Sequence, residues 1–171
     1  RDLDHLLQLG NPISLEDLLN WQKGRSPRPK GWFLSFDDGY RELHDVVAPI
    51  LKRKGIPATF FLCSSLIDNQ RPFFEDVAGW IAVRFTEATH ATQLAVQAEL
   101  NQSGLSLAQL LSSRFPRWDL LEGLASLLNI DVSQWLADEQ PYLTAAQVTS
   151  LLRDGFHVGA HSVDHPLFSA I

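Results

Sequence analysis

The sequence predicts an α/β fold, and three features predict it. Two short runs rich in aromatic and apolar residues, WFLSF at 32–36 and ATFFL at 58–62, flank an amphipathic helical stretch of about the length a parallel strand crossover needs. A third run, FHVGAH at 156–161, follows another helical stretch with its own start and stop signals. From Phe73 to about Leu136 the composition turns to Ala, Leu and Gln with few strand signals, so a helical segment is expected to interrupt the α/β frame at about 70–140.

The bulk numbers narrow the function classes. With 171 residues, 45% of them hydrophobic and 20% charged, the chain can bury a core and is too apolar for disorder. Its formal charge of -6 and the lack of a long Lys/Arg block leave no phosphate-tracking stripe, so no nucleic-acid partner is expected. Cys63 is the single cysteine, which rules out an internal disulfide and a thiolate metal cluster. The N-terminal RDLDHLLQLG has no signal-peptide pattern and no 18-residue apolar run occurs, so a soluble chain without a transmembrane segment is expected. Compartment and oligomeric state stay open.

Taken in order, a helix starts near residue 1, and SLEDLLNW at 14–21 opens a second one with Ser14 as N-cap and Asp17 three positions on. KGRSPRPKG at 23–31 reads as a loop. WFLSF then reads as one strand buried on both faces, as parallel strands require. Leu43, Val46, Val47, Ile50 and Leu51 fall at helical spacing, with Pro49 bending that helix or delaying its start and Gly55 ending it. Later, Thr144 and Gln147 form a capping box, and Gly155 closes that helix before FHVGAH. Alternation along this last strand sets His157, Gly159 and His161 on one face.

Two polar clusters, SFDDG at 35–39 and HSVDHP at 161–166, each follow directly on a strand. In barrels and open parallel sheets the C-terminal strand ends share a face, so clusters distant in sequence can converge there. Histidines four apart suit a helix face, but Pro166 disfavours helical geometry at His165 and no HExxH glutamate is present, so a loop is expected. Two imidazoles and one carboxylate make three ligands of a catalytic zinc site, with a fourth position for water whose pKa falls to about 7. Neighbouring strand residues face opposite ways, so one of Asp37 and Asp38 is read as ligand and the other as general base; spacing does not say which.

Each motif alone has a plainer reading. DDG is usually a turn, in which Asp tolerates unusual backbone angles and Gly supplies positive φ. The two clusters together, each at a strand end, weigh towards a metal site. His5, His44 and His90 read as surface residues, His157 as core or as a support for the site, and Cys63 as buried. The five tryptophans, Trp21, Trp32, Trp80, Trp118 and Trp135, could line a sugar site, although scattered tryptophans are more often core.

SFDDGY at 35–40, GIPATFFL at 55–62 and LLRDGFHVGAHSVDHP at 151–166 resemble the polysaccharide deacetylase family of carbohydrate esterases, over roughly residues 11–69 and 141–168. Its motifs T/S-F-D-D-G and H-S/T-x-x-H-P are both complete, with Ser35 for the commoner Thr. The resemblance implies a partial (β/α) barrel with a helical insertion, with Asp37 as catalytic base and with Asp38, His161 and His165 binding one divalent metal, Zn2+ foremost and Co2+ or Ni2+ as alternatives. It also implies a glycan substrate that loses an N-acetyl group, in the cell envelope or the cytoplasm. O-deacetylation of a xylan-type ester and a non-catalytic metal- or carbohydrate-binding remnant are the alternatives.

The family's later motifs, including the general-acid histidine, would lie downstream of HSVDHP, and the sequence ends five residues after Pro166. One incomplete catalytic domain over 1–171, with three strands and without deacetylase competence of its own, is therefore expected. Arg71, Pro72 and Phe73 look like one of these later motifs but precede HSVDHP, and no role is assigned to them.

Overall fold

A computed structural model of the chain describes residues 1–112 and 117–166. By contacts it divides into two units, Arg1–Asp68 with Pro141–His161, and Asn69–Gln140 with the described residues from Ser162 on.

The first unit begins with α1 (Asp2–Leu9) and α2 (Leu15–Gln22). At the start of α2 the capping box forms as expected: the Ser14 hydroxyl accepts the Asp17 N–H at 3.1 Å, and the Asp17 carboxylate accepts the Ser14 N–H at 3.0 Å. The Ser14 hydroxyl first, and its backbone N–H second, hold the Asp17 carboxyl below the usual carboxylate range. Between the helices lies β1 (Pro12–Ile13), a strand that the sequence does not announce.

β1 explains why WFLSF is not one strand. The Trp32 indole N–H donates to the carbonyls of Leu6 at 3.0 Å and Gly10 at 2.9 Å, which sets β2 (Trp32–Phe33) parallel to β1. One residue later the Leu34 carbonyl accepts the Thr59 N–H at 3.1 Å, and β3 (Ser35–Phe36) joins a different sheet. Successive residues are thus committed to different neighbours. The expected burial on both faces is also corrected, since Trp32, Phe33, Leu34 and Phe36 are half-buried and Ser35 is exposed.

The second sheet is parallel with strand order β3-β4-β5, where β4 is Thr59–Leu62 and β5 is His157–Ala160. The crossover from β3 to β4 starts with a π-helical segment at Leu43–Val47 and becomes α3 (Ala48–Lys54) beside Pro49, whose missing N–H cannot support an earlier helical turn. Gly55 ends α3 at φ 65, as its position predicts. Among the described residues the five strands form two open parallel sheets rather than a closed barrel. β5 is preceded by α9 (Ala145–Arg153), which starts at the Thr144–Gln147 capping box. Phe60 on the central strand is fully buried, stacked on Phe36 with centroids 5.6 Å apart and edge-on to Phe156 at 5.3 Å.

The second unit is helical, as its composition suggests: α4 (Phe74–Glu87), α5 (His90–Gln102), α6 (Leu107–Leu111), α7 (Trp118–Leu127) and α8 (Val132–Glu139). Thr89, Ser106 and Asp131 cap α5, α6 and α8. Ile81, Val96, Leu100, Leu121 and Leu124 form its core. Among the described residues no helix is long and apolar enough to cross a membrane.

Phe60→Ala removes the ring that joins β3 to Phe156, and the expected cost is about 3–5 kcal/mol. Denaturant unfolding of the variant beside the wild type measures it, and a loss under about 1 kcal/mol would show that the aromatic stack is not the core of this unit.

Candidate functional site

β3 ends at Phe36, and the DDG motif follows as a turn. Asp38 has φ 76 and Gly39 φ 109, consecutive left-handed conformations that reverse the chain sharply. Aspartate is among the few residues that visit this region readily. The turn leaves Asp37 exposed and Asp38 half-buried. The two carboxylates are therefore separated by the turn and not, as strand alternation suggested, by opposite faces of one strand.

This loop is held by backbone hydrogen bonds. The Asp38 carbonyl accepts the Cys63 N–H at 3.0 Å, the Gly39 carbonyl accepts the Leu143 N–H at 2.9 Å, and the Arg41 N–H donates to the Pro141 carbonyl at 2.8 Å. Tyr40 bridges to Tyr142, and their rings lie 5.6 Å apart.

His161 immediately follows β5. Its N–H donates to the Leu62 carbonyl at 2.9 Å, which extends the ladder with β4 by one residue, and its carbonyl accepts the Cys63 thiol at 3.0 Å. The imidazole Nε2 then lies 3.6 Å from Asp38 Oδ1, with the two side chains 32% and 30% exposed. That separation is too long for a hydrogen bond. It is close to the ~3.4 Å between two donors that each stand about 2.0–2.1 Å from one tetrahedral ion. An imidazole with a carboxylate suits zinc, and a site of this kind also admits cobalt or nickel.

His165 belongs by contact to the second unit. It sits in a loop, as Pro166 predicts, with φ 59 and its N–H donating to the Ser162 hydroxyl at 3.0 Å. Its Nδ1 lies 3.6 Å from Glu75 Oε1, and its ring meets Phe73 edge-on at 5.3 Å between centroids. Glu75, in the first turn of α4, is not legible as a neighbour of His165 from sequence, because no spacing rule links them.

Cys63 is buried, as expected, but its two hydrogen bonds to Asp38 and His161 have no sequence signal. His157 opens β5, four residues and about 13 Å along the strand from His161. It does not reach that end of the strand. Arg71 rests over the Trp118 ring at 5.2 Å.

The model of the polysaccharide deacetylase family matches residues 24–171. A solved structure described as "Probing the structure and mechanism of de-N-acetylase from aggregatibacter actinomycetemcomitans" is 38% identical over 37% of this chain, with a TM-score of 0.35. The chain spans 25% of the length of that protein. No curated protein matches.

Because the Cys63 thiol is enclosed and donates to the His161 carbonyl, it is expected to react with a thiol reagent only as fast as the unit opens. Cys63→Ala is expected to destabilise by about 1–2 kcal/mol. Alkylation of the native chain at the rate of a free thiol would contradict this placement.

Proposed function

The chain belongs to the polysaccharide deacetylase family, and from that premise we propose that it supplies the metal site of an enzyme that removes the N-acetyl group from an amino sugar within a glycan, with Asp38, His161 and His165 as ligands of one divalent metal ion and Asp37 as general base. The observation that carries this reading is the approach of His161 Nε2 to Asp38 Oδ1, at a distance that suits two donors sharing one ion. Each of the three residues offers one ligand atom, two imidazole nitrogens and one carboxylate oxygen. His161 and His165 are four residues apart on either side of a short loop, which suits both to one centre.

A divalent ion bound there would supply a Lewis acid for the acetyl carbonyl and would lower the pKa of water. The chain's own groups do the rest. Asp38 contributes the negative charge that a cation needs. His161 is held at its backbone N–H by Leu62 and at its carbonyl by Cys63, so its ring extends from a fixed backbone position. Asp37, exposed at the turn, accepts the proton as water adds to the acetyl carbon. The C–N bond then breaks as the leaving nitrogen takes a proton from solvent water, which gives acetate and a free amine. The parallel β3-β4-β5 sheet is read as a segment of a (β/α) barrel, and residues 69–140 as a helical insertion within one deacetylase domain.

In the intact parent protein, His165→Ala is expected to lose the bound metal by elemental analysis, and a full equivalent retained would remove His165 from the ligand set. In the intact parent enzyme, Asp37→Asn is expected to keep the metal and to lose about 10²–10⁴-fold in acetate release from N-acetylglucosamine oligomers, since an amide cannot take the proton. Unchanged turnover would remove Asp37 from the base role. Acetate released from acetylated xylan but not from the amino-sugar oligomers would turn the reading to an esterase.

A further inference from the structure

The helical unit carries two adjoining clefts that the proposed chemistry does not use. One, of about 320 Å³, is lined by Trp80, Val83, Arg84, Asn129, Asp131 and Trp135 among others. The other, of about 390 Å³, shares Arg84 and Asn129 with the first and continues to Glu87, Thr89 and Thr92. Each is within the size range of a small-ligand site, and their shared lining makes one longer groove.

The side chains are of the kind that hold sugars. The Trp80 and Trp135 rings meet at 60° with centroids 4.6 Å apart, and neither residue is fully buried. Both rings are partly exposed where they line the cleft, although Trp80 also packs on the helical core, and an exposed indole suits the C–H surface of a pyranose ring. The turn between α7 and α8 presents Asn129, at φ 54, and Asp131. Asp131 Oδ1 caps α8 by accepting the Gln134 N–H at 2.8 Å, which leaves Oδ2 for a hydroxyl. Arg84 pairs with Glu87 at 3.6 Å with both side chains mostly exposed, a weak pair whose guanidinium keeps donors to spare. With Arg84 set against Asp131 and Glu87, the lining has no excess of positive charge and does not suit a phosphate or an anionic glycan.

We propose that this groove binds a linear run of uncharged, N-acetylated amino-sugar rings, with Trp80 and Trp135 as the stacking platform and Arg84, Asn129 and Asp131 as hydroxyl and acetamido partners. The choice of N-acetylated rings rests on the deacetylase reading; the binding of a neutral glycan does not. The groove would hold a polymeric substrate while the separate site acts on it, so its effect should appear with long oligomers and vanish with short ones.

The test is calorimetric titration of the protein with the hexamer of N-acetylglucosamine and, in parallel, with a glucose hexamer, together with acetate release from the N-acetylglucosamine dimer. Trp135→Ala and Arg84→Ala are each expected to weaken hexamer affinity by about tenfold, the loss of one good stacking or charged contact, with metal content and turnover of the dimer unchanged. Arg84→Ala alters an exposed side chain and decides the matter if Trp135→Ala fails to fold. Hexamer affinity equal to wild type in the folded variants would overturn the proposal. Tighter binding of the glucose hexamer would overturn the choice of ligand. Hexamer binding that depends on Trp135 and Arg84 in an intact parent enzyme that releases no acetate would uphold the groove and sink the deacetylase reading instead.

Discussion

The approach of Asp38 and His161 depends on the C-terminal end of β4. The Leu62 carbonyl accepts the His161 N–H, the Cys63 N–H donates to the Asp38 carbonyl, and the Cys63 thiol donates to the His161 carbonyl. Two loops far apart in sequence are thereby tied to one dipeptide by main-chain and thiol hydrogen bonds. A pair of side chains 3.6 Å apart at a partly exposed site would wander if only their own contacts held them. Buried hydrogen bonds behind them restrict the backbone instead, because leaving any of these groups unpaired costs about 1–3 kcal/mol.

That clamp also makes the local strain intelligible. Asp38 has φ 76, Ser162 φ 68 and His165 φ 59, all left-handed and none of them glycine. Conformations of this kind cost about 1–3 kcal/mol each and persist where the surroundings determine them. At Asp38 the determining contact is the Cys63 N–H, and at His165 it is the Ser162 hydroxyl. The left-handed residues at Asn129 and Gln140 end helices or link them, which is ordinary work for amide side chains. Asp38, Ser162 and His165 fall within the two motifs, while Asp68 and Asn69 form a left-handed pair outside them.

Much of this was legible in the sequence because it is local. The capping boxes at Ser14 and Thr144, the left-handed stop at Gly55 and the loop at His165 follow from residue types at fixed offsets, and each forms as the pattern says. What was not legible is long-range. WFLSF has one apolar pattern, yet Trp32 is claimed by Leu6 and Gly10 while Ser35 and Phe36 belong to β4, and no local signal divides it. Pro12–Ile13 is too short for alternation to show. Glu75 beside His165 and Cys63 between Asp38 and His161 depend on the fold alone. The two motifs, by contrast, are contiguous in sequence, which is why the family resemblance could be read from them.

The placement of His161 finally depends on strand register, and register depends on Gly159. In the ladder Phe61 stands opposite Gly159, and a Cβ on that glycine would come within 2.7 Å of the Phe61 ring. The ring therefore lies over a backbone that only glycine leaves bare. A slip of one residue in either direction would set Val158 or Ala160 beneath the ring, where a methyl group has no room, and would also turn each side chain of β5 to the other face. With the register fixed at Thr59 opposite His157, the first residue past the strand is His161, its N–H on Leu62 and its imidazole on the side of Asp38. A glycine and a phenylalanine, neither with any chemistry to perform, thus decide which face of the sheet receives the imidazole.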